Sequence, residues 1–247
     1  VFGSGSVEIF FQSDGMQLRG VLHEPNRPAS PFVVGSHGLF SDAASPKQLR
    51  LGETLSEKGI AYFRFDHRGC GKSDGDFVKV TSLEGRASDI LNAIEVLNAR
   101  KSLGPFLGLF GSSMGGAASL WVASRRAVPA LVTVAAPLRS REIKGSDPDS
   151  NHDPLTRALL KRNPLHFDLS QYLPRIRNIL LFHGDADETV PFSNALEIRE
   201  KAENPKRLIR FEAGDHRMSN PVHQAIFIKE ATKWFIRTAG SLWSPPP

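Results

Sequence analysis

Short apolar runs alternate along the chain with longer segments whose apolar positions recur every three or four residues. The runs at residues 32–36, 60–66, 106–111, 131–135, 179–183 and 208–212 are rich in Val, Ile, Leu and Phe. Continuous apolar character over so short a span predicts strands buried on both faces of a parallel sheet. Residues 7–12 and 17–23 read as two further strands joined by a turn at Ser13-Asp14-Gly15, a hairpin-like start. Between the runs lie helical patterns. The clearest covers residues 82–99, where Leu83, Ala87, Ile90, Leu91, Ile94 and Leu97 form one apolar stripe. Residues 46–58, 114–124, 193–202 and 221–238 complete the set. Strand, helix, strand repeated in this way predicts an α/β fold, a doubly wound and mostly parallel sheet of about eight strands.

The alternation breaks at residues 139–177. No strand-like run occurs there, Pro148, Pro154, Pro164 and Pro174 punctuate the segment, and residues 154–163 carry the short amphipathic pattern Leu155, Leu159, Leu160. Such a length without a strand exceeds an ordinary connection. A helical cap inserted into a single domain spanning residues 1–247 is therefore expected. Leu155, Leu159, Leu160, Leu165, Phe167 and Tyr172 either line an acyl or aromatic pocket or seal the cap onto the core. Phe40 joins Leu155, Leu159 and Phe167 as a candidate substrate-pocket residue.

Composition narrows the class. With 40% hydrophobic and 23% charged residues the chain is a globular one, and the lone Cys70 excludes an intramolecular disulfide or a Cys-rich zinc site. The longest nearly apolar run, residues 129–138, falls well short of the ~18–20 residues needed to span a bilayer, so no membrane partner is expected. The net charge of +5 is spread over the chain, with pairs such as Arg125-Arg126 and Lys161-Arg162 and no basic stripe interleaved with aromatics. An ordinary basic surface, with no nucleic-acid partner, is the expectation. Residues 1–6 carry neither a basic nor a continuous apolar stretch of the secretory kind, which points to a cytoplasmic protein.

The candidate chemistry starts at Gly111-Ser112-Ser113-Met114-Gly115, where a buried strand pattern runs directly into a helical one. This is G-x-S-x-G in the strand-turn-helix setting that gives the pattern meaning. A serine on so sharp a turn crowds its neighbours, and glycines two before and two after relieve the crowding. The turn also aims the start of the following helix at the serine, so that the Met114 N–H faces any oxyanion formed there. Ser113 is thus the candidate nucleophile. A serine hydroxyl needs a base to take its proton, and the pattern calls for an acid and then a histidine downstream. The run at 179–183 ends in His183-Gly184-Asp185-Ala186-Asp187, offering two acids, and the run at 208–212 ends in Ala213-Gly214-Asp215-His216. Both loops follow strands on the side where open α/β sheets gather their ligands. His183 with Asp185, or His166 with Asp168, could be read as metal ligands, but no zinc-type helix motif accompanies them. Gly71-Lys72-Ser73 is not a P-loop, because that pattern needs glycine where Asp66 stands. Cys70 lacks an assignable histidine and acid and reads as a buried or loop cysteine.

Together, His37-Gly38-Leu39, the segment from Phe65-Asp66-His67-Arg68-Gly69 to Gly75, the Ser113 turn, residues 183–191 and Gly214-Asp215-His216 resemble the α/β-hydrolase superfamily. Within it the chain is most similar to cinnamoyl/feruloyl-esterase-like and serine-aminopeptidase-like (S33-type) hydrolases. The resemblance implies a triad of Ser113, Asp187 and His216, with Asp187 favoured over Asp185 because the family's acid is the fifth residue of His-Gly-x-x-Asp. It also implies a second oxyanion donor, the Leu39 N–H, and no cofactor. The expected activity is serine-dependent cleavage of small-molecule carboxylic esters with small, medium or aromatic acyl groups. A peptidase or thioesterase with the same triad, or a non-catalytic binding protein on the same fold, are the other readings.

Overall fold

The computed structural model describes residues 5–140, 158–159 and 165–242. Eight strands form one sheet: β1 (Gly5–Ser13), β2 (Met16–Glu24), β3 (Ser30–Ser36), β4 (Ala61–Phe65), β5 (Leu103–Ser112), β6 (Ala130–Val134), β7 (Ile179–Gly184) and β8 (Lys206–Phe211). Their spatial order is β1-β2-β4-β3-β5-β6-β7-β8. β1 and β2 form an antiparallel hairpin, β2 runs antiparallel to β4, and every other neighbouring pair is parallel. The described helices are α1 (Pro46–Glu57), α2 (Phe77–Val80), α3 (Leu83–Asn98), α4 (Met114–Ala123), α5 (Ser193–Lys201) and α6 (Pro221–Leu242). The doubly wound, mostly parallel sheet is the architecture read from the alternation of apolar runs and helical stripes.

Strand periodicity divides the core in two. β3, β4, β6 and β7 are buried at every position, so each sends successive side chains to opposite faces. Phe32 and Val34 pack with α3 and α4 on one face, while Val33 packs with α1 and α6 on the other. α3 shows how closely local chemistry sets an element. Ser82 caps it, its Oγ accepting from the Gly85 N–H at 2.9 Å, Glu84 sits in the first turn, and Leu83, Ala87, Ile90, Ile94 and Leu97 are buried. The four-residue α2 is too short to display a period and was not visible in the pattern.

Of the insert expected at residues 139–177, residues 141–157 and 160–164, with Leu155 and Leu160, lie outside the described residues. The described part rests on the scaffold: Leu159, Leu165, Leu169, Leu173 and Ile176 belong to the same core cluster as α3 and α4. Arg139 pairs with Asp168 across an isolated antiparallel bridge, tying the two ends of the segment together. Among the described residues, no helix is long and apolar enough to cross a membrane.

Two features of the sheet place the candidate site. The chain leaves β3 for β4 through α1 on one face and reaches β5 through α3 on the other, so the strand order reverses at β3, and open α/β sheets place their ligand sites at the carboxyl ends of strands at such a reversal. Because Ser36 pairs with Gly111, residues 37–39 leave the sheet beside Ser113. Likewise Gly184 pairs with Phe211, so the loops that follow β7 and β8 emerge side by side.

Candidate active site

β5 ends at Ser112 and α4 begins at Met114, which leaves Ser113 on the turn between them with φ 52° and ψ −121°. A non-glycine residue held there stores about 1–3 kcal/mol of strain. The surroundings enforce it. A Cβ on Gly115 would lie 2.6 Å from the His37 carbonyl oxygen, and one on Gly111 would lie 2.6 Å from Ser119 Oγ, so strand and helix approach more closely than any side chain permits. The Ser113 N–H donates to the Val134 carbonyl at 2.8 Å, and its own carbonyl accepts from the Ala117 N–H at 3.1 Å. Met114 is the first helical residue, and the first N–H groups of a helix have no intrahelical partner and form its positive end.

The structure brings Ser113, His216 and Asp187 together. Ser113 Oγ lies 3.0 Å from His216 Nε2, and His216 Nδ1 lies 2.8 Å from Asp187 Oδ2. The Asp187 carboxylate is sealed from solvent, whereas His216 and Ser113 are partly exposed. Its Oδ1 accepts from the backbone N–H groups of Thr189 at 2.8 Å and Val190 at 2.7 Å. His183 Nε2 sits 2.9 Å from the Val190 carbonyl and 3.2 Å from Asp187 Oδ2. Both partners are acceptors, so Nε2 carries that proton. Burial alone would raise the Asp187 carboxyl, but hydrogen bonds from His183 and His216, with the Val190 N–H, outweigh it and hold the group well below the usual carboxylate range. An ionised Asp187 keeps the His216 proton on Nδ1 and leaves Nε2 free to receive one from Ser113. Glu188 accepts from the His216 N–H at 3.1 Å and anchors that loop.

Asp185, the alternative acid, points elsewhere: its Oδ2 binds Arg210 Nε at 2.7 Å. Among the described residues, no group of three or more His, Cys, Asp or Glu side chains could hold a metal ion.

The loop after β3 is held by a buried polar network that sequence reasoning missed. The His67 N–H donates to His37 Nε2 at 3.1 Å, so the His37 proton sits on Nδ1, which lies 2.7 Å from the Gly38 carbonyl. His67 joins Ser36 Oγ at 2.7 Å and Asp89 Oδ2 at 3.1 Å. Ser36, His67 and Asp89 therefore repeat the connectivity of Ser113, His216 and Asp187, but all three are buried, so no substrate can reach them. Burial, with the charge of Arg86, pushes His67 down to about 4 and keeps it neutral near pH 7. Burial would raise the Asp89 carboxyl, but hydrogen bonds from His67 and Arg68 and the Arg68 charge hold it well below its usual range. Arg86, fully buried on α3, directs Nη1 to the carbonyls of His37 and Gly38 and Nη2 to that of Leu39. One signal was present in the sequence: Arg86 and Asp89 are charged residues flanking the apolar stripe of α3.

The remaining candidates differ in exposure and surroundings. A Cβ on Gly38 would make an ordinary van der Waals contact of 3.6 Å with Ser113 Cβ, so the loop that carries Leu39 passes beside the serine. Phe40 is 57% exposed and its ring pairs with Phe77 at 5.6 Å. Phe167 is half-buried against the core, and Leu159 is wholly inside it. Cys70 is buried, burial raises its thiol, and Sγ accepts from Arg86 Nη2 at 3.5 Å. In the glycine-rich segment, Asp66 accepts from the N–H groups of Ala43 and Lys72, so it ties loops together.

Known proteins resemble the chain in both sequence and fold. The Hydrolase_4 family, described as serine aminopeptidase, S33, matches residues 27–166. The "Uncharacterized protein YfhR" of Escherichia coli (strain K12) is 31% identical over 226 residues, which cover 85% of this chain and 72% of that protein. Mitochondrial palmitoyl-protein thioesterase ABHD10 of Mus musculus is 27% identical over 82% of this chain and 74% of its own length. Among solved structures, Est1E from Butyrivibrio proteoclasticus with ferulic acid bound superposes with a TM-score of 0.79 at 20% identity, covering 94% of this chain and 99% of that one. A match over more than half the chain and a shared sheet leave one assignment: the chain belongs to the Hydrolase_4 (serine aminopeptidase, S33) family of hydrolases with the α/β-hydrolase fold.

Proposed function

We propose that the protein is a serine hydrolase of carboxylic esters with small, medium or aromatic acyl groups. The observation that carries this reading is the unbroken line from buried Asp187 through His216 to Ser113, ending in a 3.0 Å contact at a strained serine. In the first step His216 Nε2 takes the Ser113 proton as Oγ bonds to the ester carbonyl carbon, and the carbonyl π pair moves onto oxygen. The N–H groups of Met114 and Leu39 receive that negative charge, and loss of one such donor typically costs ~3–4 kcal/mol of barrier stabilisation. The intermediate collapses, the alkoxide leaves with the proton from His216, and an acyl-enzyme remains. Water, deprotonated by His216, then attacks the acyl carbon, and Ser113 departs with its proton restored. The half-exposed Leu39 and the exposed Phe40, on the loop that passes beside Ser113, with the Phe77 ring paired to Phe40, offer apolar surface suited to an uncharged acyl group.

A second reading, a thioesterase, is favoured by the similarity to ABHD10, and the same steps serve a thioester. A panel of p-nitrophenyl acetate and butyrate, methyl ferulate, an acyl thioester and an aminoacyl anilide separates the classes. Preferential turnover of the oxygen esters, with fluorophosphonate labelling of Ser113, supports the proposal. Absence of both turnover and label overturns it, and preference for the thioester or the anilide moves the assignment to that class.

A further inference from the structure

Arg86 is a cation with no exposed surface, set beneath a loop that touches the reacting serine. Among the described residues no carboxylate lies within ion-pair distance of it. The titratable groups nearest it are the Cys70 thiol, kept neutral by burial, and Asp89, and Asp89 is already held by Arg68 at 2.7 Å and His67 at 3.1 Å. Burying an unpaired guanidinium is costly, and it stays protonated in proteins. Three consecutive carbonyl oxygens meet it instead: His37 at 3.1 Å, Gly38 at 3.4 Å and Leu39 at 3.2 Å. Its Nε has no partner among the described residues, so the group is used for these carbonyls and for Cys70.

The peptide plane turns this into a statement about the active site. The Gly38 carbonyl and the Leu39 N–H belong to one peptide unit, which is trans, so they point in opposite directions. The carbonyl is fixed from behind by Arg86 and by His37 Nδ1 at 2.7 Å. A Cβ added to Gly38 would lie 3.6 Å from Ser113 Cβ, so the same loop passes beside the serine.

We propose that Arg86 is a positioning residue for hydrolysis at Ser113: by gripping the carbonyls of residues 37–39 it aims the Leu39 N–H at the oxyanion and polarises that peptide toward it. The proposal rests on the reading of Ser113 as nucleophile. Arg86 touches no substrate, and its positive charge acts through the peptide dipole, which a neutral hydrogen-bond donor would support less well.

The test uses Arg86→Lys and Arg86→Gln in the full chain, with circular dichroism and thermal unfolding as checks of folding. Two readouts apply: the rate at which a fluorophosphonate adds to Ser113, and hydrogen exchange of the backbone at residues 37–40. Arg86→Gln is expected to slow phosphonylation and kcat by about 10²-fold with KM little changed, since a misaimed donor approaches the loss of one oxyanion donor. Arg86→Lys, which keeps the charge, is expected to recover part of that rate. Exchange at 37–40 should quicken in both while α3 stays protected. If Arg86→Gln does not fold, the lysine variant carries the test, with about a tenfold loss expected. Rates within twofold of the parent, loss expressed only in KM, or unchanged exchange at 37–40 would overturn the proposal. If the parent itself takes no label on Ser113, the hydrolase reading fails, and the exchange data alone decide whether Arg86 holds the loop.

Discussion

Asp187→Asn tests the line of hydrogen bonds most directly. The carboxylate accepts from Thr189 and Val190 N–H groups at 2.8 and 2.7 Å on Oδ1, and from His216 Nδ1 and His183 Nε2 at 2.8 and 3.2 Å on Oδ2. All four partners are donors. In asparagine one oxygen becomes NH2, and the two backbone donors, fixed by the chain, claim the remaining oxygen. The NH2 then faces His216, whose Nδ1 must lose its proton to accept. The proton moves to Nε2, the atom that has to receive one from Ser113, and the base is lost. A reversed tautomer of this kind costs about 10⁴ in kcat, or roughly 5.5 kcal/mol of barrier. Substrate binding does not use Asp187, so KM should change little. The assay is steady-state hydrolysis of a p-nitrophenyl ester, with Asp185→Asn as control. Because Asp185 is engaged by Arg210, that control should stay within about threefold of the parent, a surface substitution away from the chemistry. A tenth or more of the activity surviving in Asp187→Asn, or a hundredfold loss in Asp185→Asn, would refute the reasoning.

Other outcomes follow from the same geometry. Ser113→Gly should abolish ester turnover yet unfold at a higher temperature, by about 2–4 °C, because glycine relieves roughly 1 kcal/mol of strain at φ 52°; a lower melting temperature would contradict it. Gly115→Ala should cost about 3 kcal/mol in chemical denaturation, since its Cβ meets the backbone of residues 36–37, and a near-neutral result would show that the turn yields. Acid stability should depend on Asp89 and Asp187. Both titrate lower in the folded state than the 3.8 of an unfolded aspartate, so their contribution is complete above about pH 5 and drains away as pH falls through that value toward the folded ones. Urea midpoints at pH 7 and pH 3 should therefore differ less for Asp89→Asn than for the parent, and an equal difference would remove Asp89 from the account.

The layers and the order of elements along the chain were legible in the pattern of residues. Apolar runs and three-four stripes mark strands and helices because burial imposes those periods locally, so α3 could be placed to within a residue of its observed ends. The pattern around Ser113 was legible for a similar reason: a turn that tight needs glycines at fixed offsets. Long-range strand pairing, invisible to local periodicity, sets which strand lies beside which and carries His216 to Ser113 across 103 positions of sequence. The residues alone offered both Asp185 and Asp187 and the family resemblance favoured Asp187; packing gives Asp185 to Arg210 and Asp187 to His216. The buried partnership of Arg86 with the loop after β3 lay beyond periodicity too. Charged residues beside a helical stripe ordinarily face water, and only the packing of α3 under that loop turns one inward.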